Sequence, residues 1–186
     1  ISSLSLHKNK LEYVIWSDAE GYYQYLTAVF IKKDVLNQPF SYILSNGNYF
    51  NKYTYGVSLM ELPFFSTALI YNNISGQNID SYSASFGFSI LLASIVYTFL
   101  AFLLLYNYIK KYTSNINVFI SLIVIYLGTN LFYYSVGESG MSHIYSFFLF
   151  SLFIFLTRRF YLKPSYLNSL FLWLSISIAI LIRPVN

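Results

Sequence analysis

The chain has 186 residues, of which 56% are hydrophobic and only 10% are charged. Charged residues make up about a quarter of ordinary soluble domains, so this composition excludes that class and indicates a membrane protein. The absence of cysteine excludes disulfides, thiolate metal sites and cysteine nucleophiles. The net charge of +4 does not indicate a nucleic-acid partner, because the cations of residues 84–186 stand in small groups at the ends of apolar runs.

Residues 1–83 form a near-neutral segment in which Asn, Gly, Ser and Lys stand between apolar patches. Within it, residues 18–31 have the apolar spacing of an amphipathic helix. The positions with that spacing are Tyr22, Leu26, Val29 and Phe30. We therefore predict a helix beside the membrane, where the abundant Tyr and Trp side chains suit the headgroup layer.

Further elements are predicted in the same segment. Residues 40–50 contain an Asn-Gly pair, which is typical of a β-hairpin turn. Residues 55–71 are apolar but interrupted by Glu61 and Pro63. Such a run favours a helix that lies in the membrane interface instead of crossing the bilayer.

Residues 84–186 contain long apolar runs. A membrane-spanning helix needs about 20 residues, at ~1.5 Å each, to cross ~30 Å of hydrocarbon. The chain starts at Ile1 rather than Met and stops directly behind an apolar run, so we interpret it as a fragment of a larger helical bundle. We predict an all-α membrane protein with four transmembrane helices at about 85–107, 116–136, 141–157 and 165–183.

The basic residues predict the orientation of these helices. Lys110 and Lys111 close the first predicted span, and Arg158, Arg159 and Lys163 close the third. Cytoplasmic loops are enriched in Lys and Arg, so we expect these ends to be cytoplasmic. The N-terminal segment and the linker before the third span are then extracytoplasmic, and membrane lipids are expected partners.

The stretch Ser17-Asp-Ala-Glu20 places two carboxylates at the start of the first predicted helix. One interpretation is a capping box, in which Ser17 and Glu20 bond to backbone amides and Asp18 complements the helix dipole. The other interpretation is catalytic, because a carboxylate just outside the bilayer can act as a general base for an incoming hydroxyl. The two are compatible, since a capped helix holds a base rigidly.

Glu138 is the only acid after Asp80, and it stands in a short, glycine-flanked linker. It is either an exposed loop residue or a functional acid close to the membrane surface. His143 follows at the start of the third predicted span, as a hydrogen-bonded structural residue or as a ligand. Glu138 and His143 together are candidate ligands for a divalent metal ion, which would then be a cofactor.

Arg183 follows the uncharged run 165–182. One interpretation is an anchor whose long side chain reaches the membrane interface. The other is a cation that binds a lipid phosphate.

Beyond these patterns, the chain resembles polytopic membrane glycosyltransferases of the GT-C class, especially bacterial members related to protein O-mannosyltransferases and the lipid A aminoarabinose transferase. The resemblance implies an enzyme of the bacterial inner membrane that moves a sugar from a polyprenyl-phosphate donor to an extracytoplasmic hydroxyl, with inversion. The stretches that carry it are residues 17–30, 52–65, 137–148 and 181–186.

The resemblance also implies roles for individual residues. Asp18 matches the catalytic base. Most members of the family have two adjacent acids at this place, whereas this chain has Asp-Ala-Glu, so the resemblance leaves open whether Asp18 or Glu20 is the base. Glu138 matches an acidic position used for metal or acceptor positioning. Arg183 matches a basic residue near the donor phosphate.

The side chains beside Asp18 are predicted to bind the substrate. Tyr22, Tyr23 and Tyr25 would line the sugar or lipid groove, and their alternative role is interfacial packing. Glu20 would bind the substrate, and its alternative role is to cap the helix and support Asp18. The alternative function is a polytopic transporter or lipid flippase without glycosyl-transfer chemistry, which predicts charges or broken helices at mid-bilayer. A structural membrane subunit, in which the acids are only helix caps, is a further alternative.

Overall fold

A computed structural model describes residues 14–36, 38–76 and 80–183. The described chain is mostly helical, as predicted, with one small antiparallel hairpin. Its elements in chain order are α1 (Asp18–Thr27), a π-helical turn (Ala28–Lys32), β1 (Ser41–Ile43), β2 (Tyr49–Asn51), α2 (Gly56–Ile74), α3 (Ala84–Ile109), α4 (Asn115–Gly128), α5 (Leu131–Val136), α6 (Ser142–Leu162) and α7 (Tyr166–Ile182).

The predicted helix over 18–31 is confirmed, but its buried face, which includes Leu26, does not continue to Val29 and Phe30. Val29 and Phe30, which were predicted on the apolar face, are 52% and 44% exposed, whereas Tyr23 is only 1% exposed. The prediction assumed continuous α-helical spacing. After Thr27 the backbone becomes π-helical, and its wider turn rotates the later residues off the buried face.

The predicted hairpin is also confirmed. Strands β1 and β2 pair in antiparallel register, with Tyr42 opposite Phe50. The turn between them needs a left-handed residue, and Gly47 provides it at φ 81°.

Helix α2 runs without a break from Gly56 to Ile74, although Pro63 lies inside it. Proline removes the hydrogen bond to the carbonyl four residues earlier, which belongs to Leu59. Both Pro63 and Leu59 lie on the exposed side of the helix, so the loss does not fall in the core. The opposite face is a buried stripe made of Val57, Met60, Glu61, Phe65 and Ala68.

Helices α2 and α3 pack in opposite directions. The Tyr97 hydroxyl donates to the Met60 carbonyl at 2.9 Å, and the Asn72 amide donates to Ser85 Oγ, also at 2.9 Å. These hydrogen bonds join the start of α2 to the middle of α3 and the end of α2 to the start of α3. Helix α2 therefore covers the first half of α3.

Helix α6 runs alongside the second half of α3 in the same direction. Tyr97 meets Tyr145 with ring centroids 5.6 Å apart, and Tyr108 of α3 lies 5.9 Å from the guanidinium of Arg158. Small side chains on α3 allow this close approach. Ala93 and Ala101 of α3 are fully buried.

The bundle consequently has two distinct ends. We call the end where α6 begins and α7 ends the site end, because it carries Glu138 and Arg183. We call the end where α3 and α6 finish the basic end. Its cations are Lys110, Lys111, Arg158, Arg159 and Lys163.

Two helices of the described chain, α3 and α6, are long and apolar enough to cross a membrane. Only 33% and 28% of their most apolar windows are buried within the chain. Large exposed apolar surfaces are characteristic of membrane or protein contacts. The length and composition of these two helices support the prediction of a membrane protein.

The prediction of four spanning helices is not supported. The predicted span 116–136 is divided into α4, with 14 residues, and α5, with 6. Thr129 interrupts it because its backbone is extended (φ −122°, ψ 176°) and its hydroxyl accepts a hydrogen bond from the Leu131 amide. The predicted span 165–183 is α7, whose 17 residues fall short of the ~20 that span a bilayer.

Candidate functional site

Close backbone contacts bring the predicted site residues to the site end. A Cβ placed on Gly140 would lie 2.7 Å from the Ala19 Cβ, so the linker before α6 rests directly on the start of α1. Glycine at position 140 permits this approach. Asp18 and Glu138 therefore lie on neighbouring segments at the same end of the bundle.

The segment that follows the hairpin connects Asp18 to the end of α7. The Tyr53 hydroxyl donates to Asp18 Oδ1 at 2.5 Å. The next residue, Thr54, donates from its hydroxyl to the Ile182 carbonyl at 2.9 Å. Arg183 follows immediately, so two consecutive side chains tie the predicted base to the segment that carries the predicted phosphate-binding cation.

Asp18 is held as a hydrogen-bond acceptor. Lys52 Nζ lies 3.9 Å from Oδ1, and the side chains of Lys52 and Asp18 are 61% and 55% exposed, respectively. Burial raises the pKa of Tyr53, and its hydrogen bond to Asp18 raises it further, so the phenol remains the donor. Both contacts reach Oδ1 of Asp18.

Glu138, His143 and Arg183 form a second group at the site end. Glu138 accepts a hydrogen bond from the Tyr133 hydroxyl at 2.5 Å. The His143 ring stacks on Tyr134, with centroids 4.0 Å apart. Both Glu138 and Arg183 interact electrostatically with His143. The structure thus adds Arg183 to the pair Glu138 and His143, which the sequence had already grouped as candidate metal ligands.

The capping box predicted at Ser17 is wrong. Ser17 has φ 54° and ψ −128°, and its side chain makes no capping hydrogen bond. Glu20 instead accepts a hydrogen bond from the Tyr82 hydroxyl at 2.9 Å. Glu20 therefore holds the start of α1 against the turn before α3. The local sequence around Glu20 could not predict this partner, because Tyr82 is distant in the chain.

Two of the predicted groove tyrosines have different environments. Tyr22 packs edge-to-face against Tyr53, with centroids 5.1 Å apart, beside Asp18. Tyr23 is 1% exposed and donates from its hydroxyl to the Ser81 carbonyl at 2.8 Å. Tyr23 thus has the packing role that was the alternative in the sequence analysis, while Tyr22 stays next to the candidate base.

A metal site at Glu138 and His143 stays a prediction. The described residues contain no group of three or more His, Asp or Glu side chains that could hold a metal ion. Structural and catalytic metal sites usually draw at least three ligands from the protein. Glu138 and His143 alone do not make such a set.

A buried acid that was not predicted from the sequence lies behind the site. Glu61 is 1% exposed, and its Oε1 accepts a hydrogen bond from the Tyr145 hydroxyl at 3.0 Å. The same hydroxyl lies 3.3 Å from the Ser139 carbonyl, next to Glu138. Burial raises the pKa of Glu61 to about 8, against the opposing effect of the Tyr145 hydrogen bond. The neutral acid thus connects α2 to the linker.

Replacing Glu61 by Gln is expected to remove a pH dependence of stability. The pKa of Glu61 rises from 4.5 to about 8 on folding, so the folded protein keeps a proton that the unfolded chain releases. The contribution of this proton to the free energy of unfolding is therefore complete below the pKa that Glu61 has in the unfolded chain. Above that pKa it falls by about 1.4 kcal/mol per pH unit, until the pH exceeds the pKa of Glu61 in the folded protein. Thermal unfolding of both proteins across this pH range measures the effect.

The matched comparison is the difference between wild type and Glu61→Gln at each pH. Gln fills the same volume, can accept from Tyr145 and never ionises. The wild type should lose stability relative to the variant as the pH rises. Parallel curves for the two proteins would show that Glu61 does not titrate in this way.

A sequence signal for Glu61 did exist. The acid stands in the apolar run 55–71, at the same helical spacing as Val57, Met60 and Phe65, which are all buried. No comparable signal existed for Tyr53, because it lies 35 positions from Asp18 along the chain.

Comparisons with known proteins yield no relative: no family model, no curated protein and no solved structure matches this chain.

Proposed function

We propose that this chain belongs to a membrane glycosyltransferase that moves a sugar from a polyprenyl-phosphate donor to an acceptor hydroxyl. The observation that carries the proposal is the connection Asp18–Tyr53–Thr54–Ile182, which places a carboxylate and the Arg183 cation at one end of an apolar bundle. A base and a phosphate-binding cation at one site are what this reaction requires.

In the proposed reaction, Asp18 Oδ2 takes the proton of the acceptor hydroxyl. The acceptor oxygen then attacks the anomeric carbon, and the bond from that carbon to the phosphate oxygen breaks. The phosphate leaves with the electron pair, and Arg183 stabilises its charge. A single displacement of this kind inverts the anomeric centre.

Tyr53 and Lys52 have positioning roles in this proposal. Both contact Oδ1 of Asp18, which fixes the rotamer and leaves Oδ2 for the acceptor. Tyr22 lies against Tyr53 and offers an aromatic surface beside the base. Aromatic surfaces of this kind suit the apolar faces of sugars and lipids.

The resemblance to GT-C glycosyltransferases supports the same assignment. The stretch that carries Asp18 and the stretch that ends in Arg183 are among those on which the resemblance rests. Location in the bacterial inner membrane, with the site end extracytoplasmic, is part of the proposal. The apolar surfaces of α3 and α6 are its physical support.

The direct test reconstitutes the intact protein in lipid vesicles with polyprenyl-phosphate sugars carrying a label. Transfer of the label to a water-soluble or lipid acceptor, with release of polyprenyl phosphate, is the expected result. If labelled donor remains intact with every sugar and acceptor class supplied, the proposal fails.

Two structural observations favour the alternative of a transporter or lipid flippase. Glu61 is a buried acid within the helical part of the chain, and the predicted span 116–136 is broken at Thr129. Buried acids and broken helices are common in transporters. In the same vesicles, movement of the labelled lipid between leaflets without transfer of the sugar would favour this function.

A further inference from the structure

A second polar site lies at the basic end, far along α6 from the candidate catalytic residues. Arg158 is half-buried, and its guanidinium lies 5.9 Å from the ring of Tyr108 and 5.6 Å from the ring of Tyr112. Cation–π contacts of this kind hold the planar group in place. They provide no hydrogen-bond acceptor.

The guanidinium lacks a counter-ion within the described chain. Its Nη1 is buried without a hydrogen-bond partner among the described residues. The only acid between residues 84 and 183 is Glu138, which lies at the site end and accepts from Tyr133. A buried donor without an acceptor costs about 1–3 kcal/mol, and more when charged, so a partner from outside would stabilise this side chain.

Arg158 lines an open cavity of about 440 Å³ between the ends of α3 and α6. Its walls are mainly apolar and aromatic, and include Phe153, Ile154 and Leu162. A cation at the edge of an apolar cavity matches an amphipathic ligand that has a negative head and a hydrocarbon tail.

Neighbouring charges favour a negative ligand. Lys110 and Lys111 follow α3, and Arg159 and Lys163 stand beside Arg158 in sequence. Basic pockets between membrane helices bind anionic lipid headgroups. A guanidinium adds bidentate recognition of phosphate, which an ammonium does not provide.

We propose that Arg158, held by Tyr108 and Tyr112, binds the phosphate of an anionic membrane phospholipid, with an acyl chain against the apolar wall. This site is independent of the proposed glycosyl transfer. It uses none of the residues at the site end.

The test titrates the intact protein in a neutral detergent with fluorescent phosphatidylglycerol and, separately, fluorescent phosphatidylcholine. The wild type is expected to bind phosphatidylglycerol about 10-fold more tightly or better, as a charge-assisted bidentate contact allows. Arg158→Gln should abolish this preference. Arg159→Gln is the matched control, because that side chain is exposed, and it should retain the preference.

Equal losses in the Arg158 and Arg159 variants would overturn the proposal, because they would show diffuse attraction by the whole basic end. Equal binding of the two lipids by the wild type would overturn it as well. Displacement of the labelled lipid by inorganic phosphate, but not by potassium chloride of equal ionic strength, would identify a free phosphate site instead.

Thermal unfolding without added lipid shows whether Arg158→Gln folds. Should it not fold, Arg158→Lys provides the second variant, since it keeps the charge but loses the planar fork. Weaker phosphatidylglycerol binding by the Lys variant supports the proposal. Unchanged binding by the Lys variant contradicts it.

Discussion

Replacing Asp18 by Asn is expected to lower the rate of glycosyl transfer by about 100- to 10,000-fold, which is the usual contribution of a general base. Asn has the same shape and its amide oxygen still accepts from Tyr53, so the fold should persist. The variant has no proton acceptor for the attacking hydroxyl. Initial rates of label transfer in vesicles, with thermal unfolding in parallel, measure the two effects separately.

Asp80→Asn is the matched control for this experiment. Asp80 is an exposed acid whose Oδ1 accepts a hydrogen bond from the Tyr82 amide, and Asn preserves that bond. Its transfer rate should equal that of the wild type. Full transfer by Asp18→Asn would exclude Asp18 as the base and would direct attention to Glu20.

Replacing Gly56 by Ala is expected to destabilise the protein by about 1–3 kcal/mol or more, as overpacking of a tight contact does. A Cβ at position 56 would lie 2.3 Å from the Leu181 carbonyl carbon and 2.4 Å from the Ile182 nitrogen. These are backbone atoms, so no side chain can move aside. The start of α2 must separate from the end of α7.

The same separation should disturb the site. Thr54 would lose its hydrogen bond to the Ile182 carbonyl, and Arg183 would move away from the segment that holds Asp18. We therefore expect a lower unfolding temperature and a lower transfer rate together. Thermal unfolding in detergent and the vesicle assay measure both.

Gly128→Ala is the control for this substitution. A Cβ at Gly128 meets only Val124 Cγ1, at 3.9 Å, which is an ordinary contact. Its stability should match or slightly exceed that of the wild type, because Ala is a better helix former than Gly. Equal unfolding temperatures of the two variants would mean that the backbones of α2 and α7 are not in close contact at Gly56.

The sequence alone predicted the features that depend on local pattern. Helical apolar runs, the hairpin turn at Gly47 and the grouping of cations at one end all follow from side-chain spacing and charge. These signals depend on residues close in sequence, so they survive without a tertiary structure. They were less reliable for helix length, as the break at Thr129 shows.

Only the tertiary structure decided the partners of the candidate site residues. Glu20 bonds to Tyr82, 62 positions away, and Glu61 bonds to Tyr145, 84 positions away. Such pairs arise from the packing of whole helices, so no periodic pattern in the sequence predicts them. The sequence therefore identified Asp18 as the carboxylate to test, while the packing of α1, α2 and α7 determined that Tyr53 holds it near Arg183.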